Sequence, residues 1–158
     1  MIVFSKIGQA VTEFESVEGM PLQGSGISES CGQIVLSDEY ADGLKDIEGF
    51  SHLYVLFHLH RCHGKSRLKV MPFLDTKERG VFATRSPKRP NPLGLSIVEL
   101  IRRDGRTLYV RGLDLLNGTP VIDIKPYIQS FDNIQGTRDG WYIQGRDPQQ
   151  MVSDERFK

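Results

Sequence analysis

The chain has 158 residues, of which 39% are hydrophobic and 25% are charged, and its acidic and basic side chains balance. This length and composition are typical of one globular domain. No apolar run reaches the roughly 18 residues of a membrane span, and no basic segment followed by a long apolar core marks a signal peptide. Two cysteines, Cys31 and Cys62, form no disulfide framework, so we expect a reduced, cytoplasmic protein.

One short cluster, His60-Arg61-Cys62-His63, has the residue types of a metal site. Its spacing matches no zinc pattern, and the sequence has no second Cys/His pair that could complete the ligand set. We therefore expect no bound metal.

Charge is distributed unevenly along the chain. Residues 13–48 carry nine acids against the single base Lys45, whereas residues 65–89 carry eight bases against Asp75 and Glu78. The basic half is extended by Arg102, Arg103, Arg106 and Arg111. The asymmetry is compatible with a face for a polyanion or with a self-complementary contact between subunits. Solvated strand edges and turns are the alternative.

The elements predicted for the N-terminal half are mostly short strands. Residues 32–36 form a strand, and a short helix follows at residues 38–44 with Ser37 as its N-cap. Residues 51–60 alternate only partly, which predicts a strand buried on both faces near its middle. Further strands are predicted at residues 68–73 and 80–84.

Two hairpins are predicted next. Strands at residues 93–101 and 107–111 flank the turn pair Asp104-Gly105. In the same way, strands at residues 113–116 and 121–124 flank the turn pair Asn117-Gly118. Many short strands joined by glycine turns are typical of a β-barrel or a β-sandwich.

Residues 131–158 lose the periodicity of the preceding strands and gain Gly, Gln and Asp. They predict an irregular C-terminal tail that is laid over the domain, with Trp141 and Tyr142 as its apolar anchor.

Residues 80–94 read GVFATRSPKRPNPLG and lead from an apolar run into a cationic loop. Its three prolines fix φ and bias their preceding residues toward extended geometry, which lowers the entropy cost of binding. Arg85 and Arg89 can form bidentate pairs with a carboxylate or phosphate, and Asn91 offers both a donor and an acceptor. The pattern predicts an anion-binding loop; a basic surface loop with structural prolines is the alternative.

This segment resembles the signature of the TrmO family, also called TsaA-like. Two more blocks agree with the family in order and spacing, GFSHLYVLF at residues 49–57 and LDLLNGTPVIDIKPY at residues 113–127. The sequence Met-Pro-Leu-Gln at residues 20–23 lies where the family has a Pro-Arg-Gln stretch. The resemblance covers roughly residues 5–130, that is, most of the chain.

The resemblance implies a mainly β, single-domain β-barrel with short helices at residues 1–130, followed by the irregular tail at residues 131–158. It implies an S-adenosylmethionine-dependent methyltransferase that acts on N6 of N6-threonylcarbamoyladenosine at position 37 of tRNA. It also implies a homodimer, with the cofactor site near the subunit contact. The lack of a GxGxxG motif after a strand agrees with a cofactor site outside a Rossmann fold.

Two other functions remain open. One is a methyltransferase of the same fold that acts on another small molecule or nucleoside. The other is a non-catalytic module that binds S-adenosylmethionine.

By the same resemblance, the cofactor contacts fall on separate stretches that the fold must bring together. They are Pro21, Gln23, His60, Arg61, Arg85, Leu95, Asn117, Gly118, Thr119, Pro120 and Val121. Arg85 would pair with the carboxylate of the cofactor's methionine part. Leu95 would cover the adenine ring, and the backbone amides of Gly118 and Thr119 would bind its edge.

Methyl transfer to an exocyclic nitrogen is helped by an acidic group near the positive sulfonium and by a base that takes the departing proton. Asp114 and Asp123 are the catalytic candidates, although Asp123 has an alternative structural role as a partner of Lys125 or Arg111. The candidates for binding the substrate are Arg89, Lys88 and Asn91. The two cations among them would recognise the threonyl carboxylate.

The sequence departs from the family in two positions near the expected site. Leu22 stands where the family has an arginine, which removes one cation, and Arg61 stands where bacterial members have glutamine. Longer members also have a further C-terminal domain after the barrel. The sequence therefore determines the cofactor better than it determines how RNA is recognised.

Overall fold

Six strands close into an antiparallel barrel in a computed structural model that describes residues 1–18, 29–72 and 75–142. The barrel strands are β1 (Gly8–Val11), β2 (Cys31–Leu36), β3 (His52–His58), β6 (Leu93–Asp104), β7 (Thr107–Arg111) and β8 (Pro120–Pro126). Around the barrel their order is β1-β2-β7-β6-β3-β8. The remaining strands, β4 (Lys69–Val70) and β5 (Arg79–Gly80), pair with each other in a small separate sheet.

Closure depends on the shortest barrel strand, β1, which pairs with β2 on one side and with β8 on the other. Gly8 lies opposite both Leu36 and Val121. A side chain at Gly8 has no room, because an added Cβ would lie 2.5 Å from the carbonyl oxygen of Val35. The barrel prediction is thus confirmed, and the sandwich is excluded.

The core fills the barrel interior from alternate positions of each strand. On β3, Leu53, Val55 and Phe57 are buried, while the residues between them are partly exposed. The expectation that this strand is buried on both faces is therefore wrong, because only the inner face of a closed barrel lies in the core. The core residues come from every barrel strand and from two connections: Ala10, Ile34, Leu36, Leu44, Leu53, Val55, Phe57, Val98, Leu108, Val110, Leu113, Leu115 and Val121.

The first predicted hairpin is confirmed, with β6 and β7 joined at Gly105, whose φ of +56° favours glycine. The second is wrong in part. The turn at Asn117-Gly118 exists, but residues 113–116 form no strand. Their polar groups bond to other connections instead, since Leu115 O accepts a hydrogen bond from Thr12 Oγ1 at 2.6 Å. The side chains of Leu113 and Leu115 still complete the core.

Two other predicted strands are shorter than expected. Residues 68–73 contribute only the two residues of β4, and the segment at residues 80–84 leaves β5 to form the 3-10 helix Val81–Ala83. Thr84 ends this helix by donating from Oγ1 to Val81 O at 2.8 Å. A local side-chain bond of this kind competes with strand pairing.

The helices are short. Asp38–Leu44 is a 3-10 helix rather than an α-helix, and Ser37 precedes it without a side-chain capping bond. Three further elements have no clear pattern in the sequence and were not predicted: β1, the 3-10 helix Ile47–Gly49 and the α-helix α1 (Gln129–Asp132). No helix within the described part of the chain has the length and apolar character required to cross a membrane.

Trp141 attaches the start of the C-terminal segment to the 3-10 helix Val81–Ala83. Its Nε1 donates to Ala83 O at 2.7 Å, and the Arg79 guanidinium lies over its ring at 5.5 Å from the centroid. Trp141 thus contacts the connection that carries this helix, while a tail laid over the barrel stays a prediction, and the tail beyond residue 142 lies outside the described residues.

The side chain of Phe57 packs inside the barrel directly against the backbone of Gly94 on β6. A Cβ added at Gly94 would lie 2.2 Å from Phe57 Cε2, far inside van der Waals contact. Only glycine therefore leaves room for this ring at the point where β3 and β6 pair.

We expect Gly94→Ala to lower the free energy of unfolding by about 1–3 kcal/mol, as is usual for overpacking. Gly43→Ala is the control, because a Cβ added there meets nothing within 4 Å. Adding Phe57→Leu to Gly94→Ala should restore part of the loss, since the two residues are in contact. Urea denaturation measures all three, and equal stability of the two alanine variants would contradict this packing.

Candidate functional site

The candidate site lies at one end of the barrel, where three long connections leave the strands. At this end, His58 at the close of β3 lies opposite Leu93 at the start of β6. Pro120 at the start of β8 lies opposite Gln9 near the end of β1. The connections between residues 11 and 31, 58 and 93, and 111 and 120 all begin and end here. The cofactor candidates named above belong to these three connections, apart from Leu95 on β6 and Pro120 and Val121 on β8.

Glu15 links two of the predicted cofactor stretches. Its backbone carbonyl accepts a hydrogen bond from Arg61 Nη1 at 2.7 Å, and its Oε1 accepts one from Asn117 Nδ2 at 2.9 Å. Asn117 Oδ1 in turn accepts from the backbone N–H of Thr12 at 3.3 Å. The structure thus joins the His60-Arg61 pair to the Asn117 turn through residues 12–15.

Sequence reasoning missed Glu15 and Thr12. Glu15 counted only as one member of an acidic run, and Thr12 had no distinguishing neighbours. Their role arises from hydrogen bonds to residues about one hundred positions away, which no local pattern indicates.

The turn at residues 117–121 is held mainly through its backbone. Gly118 N–H donates to Ala10 O at 2.9 Å, and Thr119 N–H donates to Leu116 O at 3.1 Å. Gly118 has a φ of +77°, which explains glycine at this position. Because these amides already donate within the protein, the expectation that they bind the adenine edge does not fit this structure. Thr119 and Val121 are buried, while Pro120 is partly exposed.

Leu95 and Asp123 lie in one row across the outer face of the barrel, since both are opposite Leu56 of β3. Leu95 is 56% exposed. Asp123 is partly exposed and pairs with Lys125 Nζ at 2.7 Å, while its Oδ1 accepts a hydrogen bond from the N–H of Ile124. The ion pair is the structural alternative foreseen for Asp123.

Asp114 has a different environment from Asp123. It is only 7% exposed and lies between the core residues Leu113 and Leu115. The catalytic roles of both aspartates stay predictions, but only Asp123 is open to solvent.

We call residues 80–94 the signature loop. Hydroxyl groups of the loop itself hold its backbone around Ser86, which is buried. Thr84 Oγ1 accepts a hydrogen bond from Ser86 N–H at 3.2 Å, and Ser86 Oγ accepts one from Lys88 N–H at 3.3 Å. Arg89 Nη1 donates to Thr84 O at 3.1 Å. Arg89 is therefore partly used in holding the loop, while Asn91 is exposed.

The signature loop is also fixed to the end of β3. Leu59 N–H donates to Pro92 O at 2.8 Å, and Arg67 N–H donates to Lys88 O at 3.1 Å. Lys88 lies close enough to Cys62 for its charge to lower the pKa of the thiol, against the larger effect of burial, which raises it. The loop and the His60-Arg61-Cys62-His63 segment are thus neighbours.

Arg85 is the exposed cation of this loop. Its side chain forms no hydrogen bond or ion pair with any residue that the structure describes. A guanidinium that is presented by a rigid loop and has no internal acceptor is well suited to bind an incoming carboxylate or phosphate.

Burial lowers the pKa of His60 below its ordinary value of 6.5, and the adjacent Arg61 guanidinium lowers it further. Its imidazole is thus neutral at neutral pH. In the described part of the chain no group of three or more His, Cys, Asp or Glu side chains is placed to hold a metal ion. The expected cofactor residues Pro21 and Gln23, and the variant position Leu22, lie outside the described residues.

The fold and site define an antiparallel β-barrel with a proline-rich loop at one end that presents the exposed Arg85. Residues 9–133 match the tRNA-methyltransferase O N-terminal domain family, and the chain belongs to that family.

Relatives differ in how much of their length this chain covers. It is 43% identical over 141 residues to a probable S-adenosyl-L-methionine-binding protein of Pyrococcus abyssi, covering 89% of this chain and 76% of the relative. It is 38% identical over 135 residues to a human tRNA (adenine(37)-N6)-methyltransferase, covering 82% of this chain but 31% of that protein. The crystal structure of TrmO from Pseudomonas aeruginosa superimposes with a TM-score of 0.74 at 31% identity, over 89% of this chain and 62% of that one.

We expect Arg61→Ala to raise the midpoint of the His60 titration, because a nearby cation disfavours the protonated imidazole. The midpoint should stay below 6.5, since burial is the larger cause. NMR titration of the imidazole protons measures this, with Lys65→Ala as the control for loss of a charge elsewhere in the same connection. A wild-type midpoint above 6.5, or no rise in Arg61→Ala, would show that the His60 environment is different.

Proposed function

We propose that this chain is an S-adenosylmethionine-dependent methyltransferase that acts on N6 of N6-threonylcarbamoyladenosine at position 37 of tRNA. Family membership supports the reaction class, and the relatives named above support the cofactor and N6 of the adenine at position 37 of tRNA. The structural observation that carries the proposal is the Arg85 guanidinium, which lies on a proline-rich loop and has no partner among the residues that the structure describes.

The residues present fit the cofactor in two respects. Arg85 can bind the carboxylate of its methionine part, and the exposed side chain of Leu95 offers apolar cover for its adenine ring. His60, Arg61 and the Asn117 turn form a fixed wall at the same end of the barrel, because Glu15 joins them. A wall with its hydrogen bonds already made needs little reorganisation when a ligand binds.

When bound, the cofactor supplies an electrophilic methyl group, which the N6 nitrogen accepts as the methyl–sulfur bond breaks. The chain's part is to hold the nitrogen and the methyl group in line, which supplies much of the rate in a reaction of this kind. N6 also loses a proton. Asp123 is the proposed acceptor, because it is partly exposed and carries an ionisable oxygen, whereas Asp114 is buried.

The threonyl carboxylate of the modified nucleoside needs a cation, and we propose Arg89 for this role with Lys88 and Asn91 beside it. Arg89 uses Nη1 to hold Thr84 O, which leaves other N–H groups of the guanidinium to donate. The bond to Thr84 would orient the guanidinium before the substrate arrives.

A homodimer is part of the proposed function. Leu93 and Leu95 on β6 are 36% and 56% exposed, and Leu56 lies beside Leu95 on the same outer face. We propose that this apolar face forms the subunit contact close to the cofactor. Sedimentation velocity measures the oligomeric state, and a monomer at every concentration tested would contradict the proposed homodimer. Action on tRNA would place the protein in the cytoplasm.

Arg85→Ala should weaken the binding of S-adenosylmethionine by about ten- to hundred-fold, the range expected for losing a charge-assisted bidentate pair. Arg67→Ala is the matched control, since Arg67 is an exposed arginine of the same connection. Isothermal titration calorimetry measures both variants. If Arg85→Ala and wild type bind S-adenosylmethionine with equal affinity, Arg85 does not bind the carboxylate of the cofactor.

Transfer of a radiolabelled methyl group should occur to tRNA that carries the threonylcarbamoyl group and not to tRNA that lacks it. Arg89→Ala should lose most of this preference, because the carboxylate then has no cation. Asp123→Asn should reduce the rate of transfer while cofactor affinity is kept. Equal discrimination by wild type and Arg89→Ala would remove Arg89 from this role. Binding of cofactor without transfer to any tRNA would favour the non-catalytic module, and transfer to another nucleoside would favour the second function.

A further inference from the structure

The connection between β3 and β6 carries a surface that the proposed cofactor site does not use. We call the described residues 65–72 and 75–84 the basic ribbon. Its exposed cations, none of which forms an ion pair with any described residue, are Lys65, Arg67, Lys69 and Lys77. Asp75 is paired with Arg79 at 2.6 Å, and Glu78 is exposed. The basic ribbon therefore presents more exposed positive charge than negative charge.

Large apolar side chains lie among these cations. Phe82 is 75% exposed, Leu68 is 69% exposed and Met71 is 48% exposed. Leu68 O accepts a hydrogen bond from Val81 N–H at 2.9 Å, so Leu68, which precedes β4, lies beside the 3-10 helix that carries Phe82. Exposed apolar groups interleaved with unpaired cations indicate a partner that offers both flat apolar faces and negative charge.

Phe82 is held in place by its neighbours and not by contacts of its own ring. It lies in the 3-10 helix Val81–Ala83, between the buried Val81 and Ala83, whose carbonyl accepts the Trp141 indole N–H. Thr84 closes the helix with two hydrogen bonds to Val81 O. An exposed aromatic ring on a fixed backbone loses little conformational entropy when it stacks on a ligand.

We propose that the basic ribbon binds single-stranded RNA and that Phe82 stacks on an unpaired base. This inference rests on the proposed function, because an anticodon loop offers unpaired bases, and it adds a contact that lies outside the cofactor site. Base faces stack on aromatic side chains, while phosphates pair with lysine and arginine. Double-stranded RNA would satisfy the cations but would offer Phe82 no free base face.

A second copy of this chain is a poorer occupant of the basic ribbon. It would bring the same unpaired cations against the ribbon, and like charges in contact oppose binding. The apolar outer face around Leu95 contains none of these cations and suits that contact better.

The experiment measures fluorescence anisotropy of a labelled RNA stem-loop and of a fully paired duplex of similar length. Wild type should bind the stem-loop more tightly than the duplex. Phe82→Ala should lose about ten-fold in affinity for the stem-loop, within the range known for base–aromatic stacking, and should bind the duplex as wild type does. Phe82→Trp should keep the affinity.

Phe131→Ala is the matched control, since Phe131 is 77% exposed but lies in α1, which follows the far end of β8. Lys69→Ala should reduce the slope of log affinity against log salt by about one, whereas Phe82→Ala should leave the slope unchanged. Thermal unfolding followed by circular dichroism should give the same melting temperature for wild type, Phe82→Ala and Phe131→Ala.

The inference is overturned if wild type binds neither RNA, or if Phe82→Ala binds the stem-loop as tightly as wild type. It is also overturned if Phe131→Ala loses as much affinity as Phe82→Ala. Calorimetry with S-adenosylmethionine separates the two proposals. A chain that binds the stem-loop through Phe82 but binds no cofactor would keep this inference and remove the proposed function.

Discussion

The double pairing of β1 is the constraint on which the structure depends. Because β1 bonds to β2 and β8 at once, the sheet has no free edge, and its inner face becomes a closed core. The same closure fixes where the connections emerge. Antiparallel pairing brings the end of β3, the start of β6 and the start of β8 to one rim, so residues far apart in sequence meet there. Small residues make the closure possible, since Gly8 and Gly94 admit neighbours that any side chain would displace.

Much of the barrel could be predicted because its strands are rich in apolar residues and are bounded by clear turns. Asp104-Gly105 marks its hairpin without ambiguity. The burial of β3 on one face could not be predicted, because residues 51–60 alternate only partly in polarity and closure of the barrel decides which face lies inside. Residues 113–116 could not be assigned in this way. They are as apolar as a strand, but their backbone groups bond to Thr12 and Ser30, and only the folded chain shows these partners. The strand β1 is short and contains small residues, so it carries too weak a pattern to identify.

The candidate site could be predicted by residue type but not by arrangement. The loop prolines and Arg85 were evident from composition, and the structure leaves Arg85 without an internal partner among the described residues. The network through Glu15 could not be found, because a glutamate in an acidic run has no local mark of its role. Asp114 and Asp123 look alike in sequence, yet one is buried and the other faces outward. Asp123 faces outward because the register of β8 against β3 shifts between Leu56 and Phe57. Asp114 is buried because it lies in the irregular segment at residues 113–116.

Arg103 on β6 and Arg106 in the turn before β7 show how the charges of a neutral chain are distributed over the barrel. Arg103 and Arg106 pair with Glu48 and Asp38, which holds the acidic segment across one end of the barrel. The basic ribbon lies on a connection at the other end. Because the exposed cations of the basic ribbon have no acidic partner among the described residues, their field extends into solvent, where it would attract a polyanion before any contact forms. A local field of this kind needs no net charge, and the formal net charge of the chain is zero.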